Sequence, residues 1–259
     1  MLPGAQSDQS TSFTLDDARE LARLAHTGQV DKLGVDYFEH VEAVAAGLVD
    51  FDLDVQIAGM LHDVVEDSDL SLDDLRSRGV SERALTAIEL VSRNLHPELT
   101  YEEAIAQICT SRDATLVKIA DNAHNSRPDR VAALLERTGN SPKPRYAEAR
   151  SMLYRAVPLT DVERVLLLTA PSLREDIVLP SLGDLLAYAE IEDIEELPGW
   201  VEAVADLDND AGLVRDAEML TLTIGRYGFD LDFPMTVGDF WEQANECEEL
   251  AIAEIESED

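Results

Sequence analysis

The chain has 259 residues, with 20 Lys plus Arg against 54 Asp plus Glu, a formal net charge of −34, and 45% hydrophobic residues. A field of that sign repels phosphate backbones and anionic lipid, which disfavours general nucleic-acid binding and attachment to a membrane surface. Two cysteines, Cys109 and Cys247, stand far apart and offer neither a disulfide framework nor a thiolate metal site. No window reaches the ~20 apolar residues of a membrane span, so a soluble cytoplasmic protein is expected.

Glycine and proline are sparse and apolar residues recur mostly at intervals of three and four, the pattern of helices. Thr14 is placed to cap a first helix whose inner face is Ala18, Leu21, Ala22 and Ala25 and which Gly28 ends. A polar loop, Gln29 to Asp36, leads to a second helix from about Tyr37 to Leu48, with His40 beside Val41, Val44 and Ala45. Asp54 opens a third, apolar from Val55 to Leu61, that runs on into His62-Asp63-Val64-Val65-Glu66-Asp67. In a continuous helix, residues i and i+4 share a face about 5–6 Å apart, which stacks His62 over Glu66 and Asp63 over Asp67. Four such groups have no structural use inside a buried helix, although a polar helix end facing solvent is the alternative.

Further helices are expected from Ser71 to near Gly79, over Ser81–Ser92, Thr100–Thr110, Asp113–Asn125, Pro128 to about Glu136, and Tyr146–Ala156. After Pro158 the character changes. Val165–Leu168 suits a strand or part of a helix, Trp200–Ala205, Leu213–Ile224 and Val237–Ile255 look helical, and Tyr227–Phe233 suits a short extended piece. The expected fold is all-α, a helical bundle over residues 1–157 followed by an acidic, mainly helical region over 158–259 in which no functional motif is legible.

All five histidines, His26, His40, His62, His96 and His124, lie in the first part. Singly, His40 reads as a hydrogen-bonded core residue and Asp121 as a helix-capping or salt-bridging acid. Together, His40, His62, Asp63 and Asp121 form a mixed imidazole and carboxylate set suited to Mn²⁺, Fe²⁺ or Zn²⁺. Four protein ligands around a six-coordinate ion leave room for water and a substrate oxygen.

The same four residues resemble the H…HD…D signature of the HD phosphohydrolase superfamily. Ala25-His26-Thr27-Gly28-Gln29-Val30-Asp31-Lys32 resembles A-H-x-G-Q-x-R-K, and Gly59-Met60-Leu61-His62-Asp63-Val64-Val65-Glu66-Asp67-Ser68 resembles G-x-L-H-D-x-x-E-D-T. Val117-Lys118-Ile119-Ala120-Asp121-Asn122-Ala123-His124-Asn125-Ser126-Arg127 is similar to V-K-L-A-D-x-x-H-N-x-R. These motifs belong to the alarmone (guanosine penta- and tetraphosphate) hydrolase domain of RelA/SpoT-type proteins and of small stand-alone hydrolases. The likeness spans roughly residues 14–157, and the family's synthetase domain has no counterpart in 158–259.

The resemblance implies an HD-type helical bundle in which His40, His62, Asp63 and Asp121 hold one Mn²⁺ and Glu66 and Asp67 orient or deprotonate the attacking water. Asn125 would touch the nucleotide, Lys32 and Arg127 would supply positive charge, and His124 and His26 would support the cluster or pack. The implied reaction releases the 3′-diphosphate of guanosine tetraphosphate as pyrophosphate. Departures fall on the nucleotide side: Asp31 stands for the family's arginine, Leu33 for a small hydroxyl residue, Asp36 for a proline and Pro128 for a threonine. A carboxylate at 31 cannot stack on a purine and would repel phosphate. Another phosphorylated nucleotide such as NADPH is therefore an alternative substrate. A non-catalytic nucleotide-sensing or protein-interaction module is the alternative from another class. The C-terminal region is a candidate site for a protein partner or for oligomerisation.

Overall fold

The computed structural model describes residues 13–139, 145–205, 207, 209–216 and 219–258. The chain divides into two compact units, Met1–Ala156 and Val157–Asp259.

In the first unit the elements are α1 (Leu15–Ala25), α2 (Tyr37–Ala46), α3 (Leu53–Leu61), α4 (Val64–Asp67), α5 (Leu72–Ser77), α6 (Glu82–Val91), α7 (Tyr101–Ile108), α8 (Arg112–Asn125), α9 (Pro128–Thr138) and α10 (Arg145–Arg155). Three of them start on reciprocal capping boxes, Thr14 with Asp17, Ser71 with Asp74 and Thr100 with Glu103, which satisfy backbone N–H groups that a helix start leaves unpaired. The centre is α3, with Val55, Ile57, Ala58, Gly59, Met60 and Leu61 all buried and α1, α2, α6 and α8 packed around it. A helix surrounded in this way carries apolar residues on every face. Gly59 permits the close approach of α2 and the turn after it: a Cβ there would lie 2.5 Å from Leu48 Cδ1 and 3.5 Å from Ala45 Cα.

The expectation of one continuous helix through His62 and Asp67 is corrected. Helix α3 stops at Leu61 with His62 as its C-cap, and Asp63, at φ −100 and ψ −5, turns the chain into the four-residue α4. The Gly59 carbonyl, which an unbroken helix would offer to the Asp63 N–H, accepts from the His62 ring at 2.8 Å instead. A side chain thus takes the acceptor that the next turn would need.

The second unit contains α11 (Leu159–Thr169), β1 (Val178–Leu179), α12 (Leu182–Tyr188), α13 (Leu197–Ala205), β2 (Ala211–Arg215), β3 (Leu220–Ile224), β4 (Tyr227–Asp230), β5 (Met235–Thr236) and α14 (Val237–Glu258). The all-α expectation is corrected here, since β2, β3 and β4 form an antiparallel sheet and β1 pairs with β5. Leu213 faces Leu222 and Leu222 faces Phe229 across the ladders, so the stretch Leu213–Ile224 read as helical holds parts of two strands. Val165–Leu168 lies inside α11, and Tyr227–Asp230 is extended as expected. Helix α14 packs along β3 and β4, burying Phe240, Ala244, Cys247 and Ala251 at helical spacing. Among the described residues, no helix is long and apolar enough to cross a membrane.

Candidate metal centre

Three segments of the first unit converge: α2, the turn between α3 and α4, and α8. His40 Nε2 lies 3.5 Å from Asp63 Oδ2 and 3.4 Å from Asp121 Oδ1, and His62 Nε2 lies 2.9 Å from Asp63 Oδ2. Ligand atoms of His40, His62 and Asp63 all fall within 4.8 Å of one another. Asp121 meets the cluster from the His40 side. His40, His62 and Asp121 are buried, and the Asp63 side chain keeps 19% exposure, enough to open the group to solvent.

Each of these side chains is held from behind. The His40 and His124 Nδ1 atoms are 2.7 Å apart, and His62 Nδ1 donates to the Gly59 carbonyl at 2.8 Å. The Tyr37 hydroxyl donates to Asp63 Oδ2 at 2.8 Å. Lys118 Nζ donates to Asp121 Oδ2 at 2.7 Å, and Asn125 Nδ2 to Asp121 Oδ1 at 2.6 Å. Such outer partners fix ring tautomer and carboxylate orientation around a metal ion. The helix supplies them at one-turn spacing: Tyr37 three residues before His40, Lys118 three before Asp121, and His124 and Asn125 three and four after it.

The donor set fits a divalent cation. With Nδ1 committed to Gly59, His62 presents Nε2 toward the Asp63 carboxylate. The 2.9 Å approach lies outside hydrogen-bond geometry, leaving Nε2 buried with no hydrogen-bond partner. A buried lone pair facing a carboxylate is costly unless a proton or cation lies between them. The titration directions agree. Burial works to lower both histidines, but neighbouring carboxylates outweigh it: Asp121 and then Asp63 push His40 up to about 9, and Asp63 chiefly raises His62. Burial alone would raise the two acids, yet His62 and His40 hold Asp63 well below its usual range, and Lys118 and His40 do so for Asp121. His124 is driven down to about 3 by burial and the His40 charge, so it is neutral and can accept from the His40 ring.

One turn beyond, Glu66 and Asp67 reach solvent. Glu66 Oε2 accepts the Arg93 backbone N–H at 3.0 Å. Partial burial, with Asp63 adding to it, raises both carboxyls. Gln29 joins His26 Nδ1, at 2.9 Å, to the Asp67 carbonyl, at 2.8 Å, which braces the end of α4.

Two of the three expected nucleotide contacts, Asn125 and Arg127, are engaged by neighbouring carboxylates. Asn125 is tied to Asp121, and Arg127 at the start of α9 makes a two-pronged pair with Asp129 at 3.1 and 2.9 Å. Lys32 is exposed in the loop before α2. Among the departures, Asp31 is turned inward, accepting from Leu33 and Val35 N–H groups and pairing with Arg130 at 2.8 Å. Its charge is thereby neutralised, which corrects the expectation that it repels phosphate. Asp36 is the N-cap of α2, and Pro128 occupies the first turn of α9. Three of the four departures therefore have local folding reasons. Sequence reasoning gave Tyr37 and Lys118 no role, although their spacing from His40 and Asp121 was the available signal.

Residues 18–127, spanning α1 to α8, match the family model described as HD domain. The match lies within the first unit and covers less than half of the chain. Over 119 residues this chain is 30% identical to the bifunctional (p)ppGpp synthase/hydrolase SpoT of Escherichia coli, covering 41% of this chain and 17% of that protein. It is 29% identical over 128 residues to a GTP pyrophosphokinase of Streptomyces antibioticus, covering 46% of this chain and 15% of the relative. The match to these curated relatives thus spans about a sixth of their length. A solved structure of a metazoan ortholog of SpoT, described as hydrolysing ppGpp and taking part in starvation responses, aligns with 66% of this chain and 99% of its own at 20% identity and a TM-score of 0.44. HD domains bind divalent metals, and His40, His62 and Asp63 are grouped here as one candidate site.

Proposed function

We propose that this protein is a metal-dependent nucleotide phosphohydrolase, with release of pyrophosphate from the 3′ position of (p)ppGpp as its leading activity. The observation that carries the reading is the orphaned His62 Nε2 facing Asp63 beside His40, within a chain whose relatives include (p)ppGpp hydrolases. In this reading His40, His62, Asp63 and Asp121 hold one divalent ion, Mn²⁺ first, with Fe²⁺ or Zn²⁺ in its place. Such an ion supplies neutralisation of phosphate charge and makes water acidic enough to react near neutral pH. Glu66 takes the proton of the attacking water and Asp67 orients it, and the partial burial that raises both carboxyls strengthens them as bases. As water oxygen bonds to phosphorus, the bond from phosphorus to the 3′ oxygen breaks and that oxygen receives the proton. Asn125 and Lys32 meet the nucleotide, and Arg127 joins them if substrate displaces Asp129 from it.

The pairing of Arg127 with Asp129 favours a second reading, in which the substrate is another phosphorylated nucleotide such as NADPH. Pyrophosphate or phosphate release from guanosine tetraphosphate, NADPH and other 2′- or 3′-phosphorylated nucleotides, measured with Mn²⁺, separates the two. Silence on all of them, with nucleotide bound but intact, would identify a sensing module instead. The reading implies a cytoplasmic protein, where such nucleotides occur.

A further inference from the structure

The second unit concentrates the negative charge. Residues 157–259 hold 27 Asp and Glu against four Arg, with no Lys or His. Into this surface are set two adjoining hollows of about 820 and about 290 Å³ that share Arg174, Val204 and Trp241. Their lining includes Trp200, Trp241 and two exposed aliphatic side chains, Leu167 at 47% and Val204 at 55%. The tryptophan rings stand 5.3 Å apart between centroids and rest on Phe240, so this wall is backed by the unit's own core.

Both arginines in the lining are engaged, Arg174 with Glu163, and Arg164 with Glu190 at 3.5 Å. Glu175 and Glu242 beside them are exposed and form no ion pair among the described residues. We propose that this groove seats a basic segment of a partner polypeptide. An apolar anchor side chain lies against Trp200, Trp241 and Val204, and flanking Lys or Arg side chains reach Glu175 and Glu242. Aromatic anchors inside a charged rim are the usual anatomy of a peptide site, and the rim's sign selects the partner. The surface repels a second copy of the same chain and any nucleic acid.

Trp200 and Trp241 are the chain's only two tryptophans, so selectively excited tryptophan emission of the full protein reports on this groove. The probe is a tryptophan-free 12-residue peptide of alternating Lys and Leu, with oligolysine, spermidine and a Ser/Leu peptide as comparisons. The Lys/Leu peptide should produce a saturable emission shift that the other three do not. Glu175→Lys combined with Glu242→Lys should weaken its affinity about tenfold, and Leu167→Ser combined with Val204→Ser by a similar factor. Circular dichroism checks that each variant is folded. Equal binding of oligolysine or spermidine would reduce the effect to counter-ion attraction and overturn the proposal. Equal binding of the Ser/Leu peptide, unchanged affinity in both folded variants, or no shift at all would overturn it too.

Discussion

Replacing Lys118 by Met isolates the electrostatics of the candidate centre. The Lys118 side chain is 16% exposed and Asp121 11%, with 2.7 Å between their charged atoms. Methionine fills much of the same space without the ammonium group. Removing one member of a buried pair costs about 3–5 kcal/mol because the other charge is left behind. Asp121 keeps the His40 ring at 3.4 Å and the Asn125 amide at 2.6 Å, so the lower end, about 3 kcal/mol, is expected. For a domain of this size that corresponds to a fall of roughly 6–12 °C in Tm. The substitution also makes the centre more negative by one charge, which favours a divalent cation. Thermal unfolding in chelator should show the full deficit, and excess Mn²⁺ should raise the Tm of the variant more than that of the wild type. A variant within about 2 °C of wild type in chelator, or equal Mn²⁺ shifts in both proteins, would refute the reasoning.

Asp63→Ala should abolish stoichiometric Mn²⁺ binding and turnover together, whereas Glu66→Gln should retain metal by elemental analysis and lose about 100-fold or more in rate. Full rate in Glu66→Gln would remove that carboxylate from the chemistry. The His40 pKa is raised from 6.5 to about 9, so its stabilising contribution is complete below 6.5 and is lost as pH rises through 9. In chelator, stability should decline across that window, while Mn²⁺ affinity, which needs the neutral ring, should climb by up to about tenfold per pH unit. A pH-independent competition titration would contradict this linkage. Gly59→Val should destabilise by about 1–3 kcal/mol through overpacking against Leu48 and Ala45, read as a lower denaturant midpoint.

The helices that carry His40 and Asp121 were legible because both residues sit within strong three-and-four apolar patterns. The break at His62 was not, since neither glycine nor proline marks it and its cause is a side chain capturing the Gly59 carbonyl. Asp31 reads as a hostile charge until Arg130, 99 residues away, is seen beside it. In the second unit Leu220, Leu222 and Ile224 alternate with Thr221 and Thr223, a period of two. Neighbouring Ala217, Glu218 and Met219 are good helix formers and disguised it.

The bend at His62 and Asp63 also decides the order in which a grip on an ion would be lost. These two side chains are aimed by torsions of adjacent residues, whereas His40 and Asp121 depend on α2 and α8 keeping their places around α3. Warming or mild denaturant that loosens the bundle should release the distant pair first and leave a two-point clasp intact. Weakened chelation should therefore precede global unfolding.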